Sequence, residues 1–127
     1  MATASGAQSL LVDVHQRFGF ALIVVFLIGM VAAAVASQAL RYLPTVRVYL
    51  WLAFVAVTIQ GLLGLGLLIT GDRPGDGLHY LYGPLTFLTL PAAAVISRGG
   101  TPRREAWMLA AGFLFAMLFS IRSLGTG

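Results

Sequence analysis

A chain of 127 residues that is 59% hydrophobic and only 9% charged, with a mean hydropathy of +0.92, has too little polar surface for a water-soluble globule, so the bilayer is its natural solvent. The net charge of +4 does not point to nucleic acid, because all eight basic residues are arginines in short connections, with no basic stripe and no interleaved aromatic residues. Cysteine is absent, which excludes disulfides, thiolate metal sites, iron–sulfur clusters and covalent c-type haem attachment.

The segment preceding the first apolar stretch lacks the basic n-region of a signal peptide, so that stretch reads as a retained membrane helix. Four apolar stretches, at about 18–40, 48–69, 78–96 and 106–122, are the candidate spans of an all-α integral membrane protein in one four-helix domain. The first three have the length that a hydrocarbon core of about 30 Å requires at about 1.5 Å per residue. The fourth is shorter and reaches full length only by running past Arg122, which would place that arginine inside the membrane edge.

Residues 41–47, 71–77 and 98–105, rich in Arg, Pro, Gly and Asp, read as loops. Short connections make consecutive helices antiparallel neighbours, and an up-down-up-down bundle is the simplest packing. The first and third loops hold Arg41, Arg47, Arg98, Arg103 and Arg104, against Arg17, Arg73 and Arg122 on the other side. That bias predicts those two loops in the cytoplasm and both termini outside it, in a multi-pass plasma-membrane protein.

His15 opens the first span and His79 the third, and one complete span lies between them. Both histidines therefore enter the membrane from the same face at similar depth. Each is followed four residues later by glycine, Gly19 and Gly83, which places a small residue on the same helix face one turn away. Two imidazoles with flat space beside them suit a haem, whose ring extends well past its axial ligands. Another metal, a quinone, or a purely structural role for the histidines are the competing expectations. Arg17, Arg73 and Arg122 share the predicted face of the histidines, and arginine forks match haem propionates, with Arg122 the better candidate and ordinary snorkelling the alternative. Phe18, Phe20, Tyr80, Tyr82 and Phe87 are expected near the histidines, where an aromatic belt explains them equally well, and Trp51 and Trp107 read as belt residues of the opposite interface.

In order and spacing these residues resemble one four-helix half of the haem A synthase family. The resemblance comprises His15 near the start of one span, Gln60-Gly-Leu-Leu-Gly64 running on to Thr70-Gly71, and His79 starting the next, covering roughly residues 13 to 90. It implies haem B held between the two histidine-bearing helices near the outer face. The family's motif has a glutamate three residues before its first histidine and an arginine directly after it. Here those positions are Val12 and Gln16, with Asp13 and Arg17 one step away. That glutamate is linked to the family's oxidation of a haem methyl group, so the resemblance supports haem binding more than that reaction. Three functions are carried forward: a cytochrome b-like protein of electron transfer, haem handling or respiratory-complex assembly, a minimal haem-modifying oxidoreductase, and a cofactor-free accessory subunit. Lipid and haem are the expected partners, together with a second copy or a larger respiratory membrane complex that would restore the family's two-site arrangement.

Overall fold

The computed structural model describes residues 2–126, which are all-helical, with no strand among them. Helix α1 spans Ala2–Gln38, a 3-10 turn covers Leu40–Tyr42, α2 spans Leu43–Ile69, α3 spans His79–Ile96 and α4 spans Pro102–Thr126. Three stretches are long and apolar enough to cross a membrane, Gly6–Gln38, Leu40–Ile69 and Pro102–Thr126.

Several expected boundaries move, each for a local reason. Helix α1 begins at Ala2, because the alanines, glutamine and leucines ahead of the first span are helix formers with no proline among them. His15 therefore lies well inside the helix rather than opening it. The expected loop at 41–47 shrinks to the 3-10 turn. Pro44 sits in the first turn of α2, where its missing N–H has no intrahelical partner to lose. Helix α4 likewise starts on a proline, Pro102, with the Thr101 hydroxyl accepting the Arg104 N–H at 3.2 Å as an N-cap. It has 25 residues and runs through Arg122, so it is not the short helix. The short one is α3, 18 residues long, which carries His79, two internal prolines and two threonines and is the least membrane-like of the four.

Helix α1 packs along both α4 and α2, and α3 packs along α4, while α2 and α3 touch least among these neighbours. The Tyr49 hydroxyl of α2 donates to the Val25 carbonyl of α1 at 2.6 Å, and Gln60 Nε2, three turns further on, donates to the His15 carbonyl at 2.8 Å. Arg103 at the start of α4 donates to the carbonyl of Ser37 at the end of α1. Small residues allow close approach along these seams. Phe113 lies over Gly29, where a Cβ would come within 2.5 Å of the ring, and Gly112 approaches the Ala93 methyl as closely. The core is Leu22, Phe26, Leu50, Leu90, Leu109 and Phe113, with alanines between. Outward positions are as apolar as the core, with Phe20, Leu52 and Leu62 each more than 60% exposed, as expected where hydrocarbon replaces water.

Candidate functional site

The site begins with two helix ends. The last four carbonyls of α4 have no intrahelical N–H donor, and the approach to α3 reaches two of them. The Asp76 N–H donates to the Thr126 carbonyl at 3.0 Å. His79 Nδ1 lies 3.0 Å from the Ser123 carbonyl, which also accepts the Thr126 hydroxyl, and 3.2 Å from the Ser123 hydroxyl. In the tautomer with the proton on Nδ1 the ring donates to that carbonyl and Nε2 keeps its lone pair. Asp76 also accepts the Leu78 N–H on its side chain and the His79 N–H on its carbonyl, which fixes the entry into α3.

His15 comes to the same place from α1. The two imidazole centroids are 6.2 Å apart with an interplanar angle of 71°. The meeting expected from topology is thus present in the fold. Gly64 of α2 makes it sterically possible, since a Cβ there would sit 3.2 Å from His15 Cε1. Gln60 donates from the same helix to the His15 carbonyl. By sequence the glycines of the second span, Gly61, Gly64 and Gly66, are small surfaces for close approach, and Gly64 is the one that meets His15. Spacing alone does not report the Gln60 contact, although Gln60 and Gly64 lie one turn apart on a single helix face. His15 Nδ1 and Gln60 Oε1 are both buried without a partner among the described residues. Such atoms cost about 1–3 kcal/mol each when unsatisfied, so this end of the bundle holds bonding capacity that the protein alone does not use.

The two glycines of the repeated motif behave differently. Beside Gly83 no atom lies within 4 Å of a Cβ position, which is the open space a flat ring needs. Beside Gly19 the space is filled by Gln60 Nε2 and Leu124 Cδ2, at 3.1 and 3.2 Å from a Cβ. Gly19 therefore accommodates α2 and α4 rather than a ligand. Arg17 pairs with Asp13 at 3.0 Å across one exposed turn of α1, so each occupies the other. Arg122 stacks over the Tyr82 ring at 5.6 Å on the exposed side of α4, and Arg73 reaches the Leu68 carbonyl. The aromatic residues do not gather on the histidines: Phe87 packs on Phe54, Tyr82 faces Phe119, and Phe20 and Tyr80 point outward.

Two imidazoles that bind one metal from opposite sides, with bonds of about 2.0–2.1 Å as known for histidine on zinc, have ring centres roughly 6 Å apart. The observed spacing meets that requirement, and His79 has its second nitrogen anchored on a carbonyl as metal-binding histidines do. The spacing and the anchored His79 ring are what the pair offers toward a bis-histidine group, while α2 at Gly64 lies close against the Cε1 and Nε2 edge of His15. Among the described residues no group of three or more His, Cys, Asp or Glu gathers to hold a bare metal ion. Two open, shallow clefts lie away from the histidines, one between α1 and α4 and one at the opposite end of the bundle. Comparison of the chain with protein-family models, with curated proteins and with solved structures gave no match.

Proposed function

We propose that the chain is a cytochrome b-like membrane protein that crosses the bilayer four times in an up-down-up-down bundle and binds haem B through His15 and His79, serving electron transfer, haem handling or assembly of a respiratory complex. The observation that carries the reading is the 6.2 Å meeting of the only two histidines in the sequence, brought together from helices 64 positions apart (79 minus 15). Haem iron bound in this way takes up and releases single electrons, with a potential set by its axial ligands and their hydrogen bonds. His79 would be held for that task by the Ser123 carbonyl, and His15 by the backbone of α2 at Gly64. Gly83 leaves the flat space beside the pair, and Arg122 and Arg73 are the cations for the propionates. Side-chain bonds from α2 to α1, from α4 to α1 and from α3 to α4 support the bundle topology. The arginine bias supports a plasma-membrane orientation with the histidine end outside.

The test is a reduced-minus-oxidised absorption spectrum of protein purified from cells well supplied with haem. The expected result is a Soret band and resolved visible bands, lost or strongly diminished in His15→Ala and His79→Ala. A spectrum without haem bands overturns the cofactor, and colour undiminished in both variants overturns the ligands. Pyridine haemochrome analysis then separates haem B from a modified haem.

A further inference from the structure

At the end of the bundle away from the histidines, a half-open cleft of about 310 Å³ lies between α2, α3 and α4. Arg47, Arg98, Glu105 and Trp51 line it, above the buried Leu50 and Leu109. Of the helices that meet there, α2 and α3 touch least. We propose that this cleft binds the phosphate headgroup of an anionic phospholipid, with the start of its acyl chains laid against Trp51.

Charge and geometry both argue for this occupant. Glu105 holds Arg47 in a two-pronged ion pair, Nε to Oε2 at 2.6 Å and Nη2 to Oε1 at 2.7 Å. That pairing fixes the guanidinium at the mouth while leaving its remaining N–H groups unspent. Arg98 makes no side-chain hydrogen bond or ion pair among the described residues, so the mouth carries one uncompensated cation. An anion bridging Arg47 and Arg98 would use both. Trp51 is 44% exposed, and its indole suits the depth at which headgroups give way to chains. A free phosphate would gain from the arginines alone, whereas a phospholipid gains from the arginines and the exposed Trp51 indole together. Basic pockets between helices on the cytoplasmic side are a recurrent means of holding acidic lipids.

The experiment is native mass spectrometry of the intact protein released from bilayers containing equal amounts of phosphatidylglycerol and phosphatidylcholine, with helix content checked by circular dichroism. One phosphatidylglycerol per chain is expected to be retained in preference to phosphatidylcholine. Arg98→Gln should weaken retention about fivefold and the Arg47→Gln/Arg98→Gln pair roughly 30-fold, taking about 1 kcal/mol per arginine. Arg41→Gln/Arg104→Gln removes the same charge from the same end outside the cleft and should leave the preference largely in place. Equal retention of the two lipids, or equal losses in the two double variants, overturns the site in favour of diffuse charge attraction. Because Arg98 makes no side-chain hydrogen bond or ion pair among the described residues, its substitution should leave the fold intact, and an unaffected Arg98→Gln also counts against the proposal. Millimolar inorganic phosphate displacing the lipid completely would assign the mouth to free phosphate instead. None of these readings depends on haem.

Discussion

Gly64 sets the position of His15 more directly than any side chain does. A methyl group there would stand 3.2 Å from His15 Cε1, so the ring must shift by a few tenths of an ångström for alanine and much further for valine. Gly64→Val is expected to keep its helix content and to lose roughly 10-fold in haem retention, the low end of what disturbed ligand supports cost. Gly83 offers the complementary trial, because nothing within 4 Å opposes a side chain there. Gly83→Leu should leave the stability of haem-free protein within about 0.5 kcal/mol while depressing haem uptake, and unimpaired uptake would mean that the ring lies elsewhere. In the core the outcome is set by packing alone. Gly29→Ala drives a methyl into the fully buried Phe113 ring and should cost about 1–3 kcal/mol in a denaturation titration of the solubilised protein.

At the level of helices, the ends carry their own chemistry. Helix α2 finishes in a Schellman motif, with Gly71 at φ +93°, its N–H on the Leu68 carbonyl and the Asp72 N–H on the Leu67 carbonyl. Helix α4 starts on the Thr101 cap, and Thr101→Ala should remove about 1 kcal/mol of stability, read in the same titration. The existence of four helices, the Gly71 stop and the approach of His15 to His79 were legible in the sequence, because apolar runs, glycine signals and the parity of helix order act locally or by counting. The starts of α2 and α4 were misread because Pro44 and Pro102 signal both a loop and a first helical turn, and only the chain path decides which. The role of Gly19 was hidden for another reason. The space beside it belongs to Gln60 and Leu124, from two other helices, and no spacing within α1 reports them.

For the whole molecule the natural absence of cysteine makes topology directly measurable, since any introduced thiol is alone. A membrane-impermeant maleimide is expected to label Arg73→Cys in intact cells and Arg41→Cys only after permeabilisation, and the reverse pattern would invert the proposed orientation. Helix α1, at 37 residues, is about 55 Å long at about 1.5 Å per residue, well beyond a hydrocarbon core of about 30 Å. Its first turns therefore have room to project past the other helices on the histidine side. Across that side runs the link from His79 to the end of α4, and Ser123 makes it with its carbonyl and its hydroxyl together. A main-chain acceptor cannot be deleted by a point substitution, whereas the hydroxyl can. A lineage that loses the serine therefore gives up one strand of the attachment and keeps the other so long as α4 stays wound to its last turn.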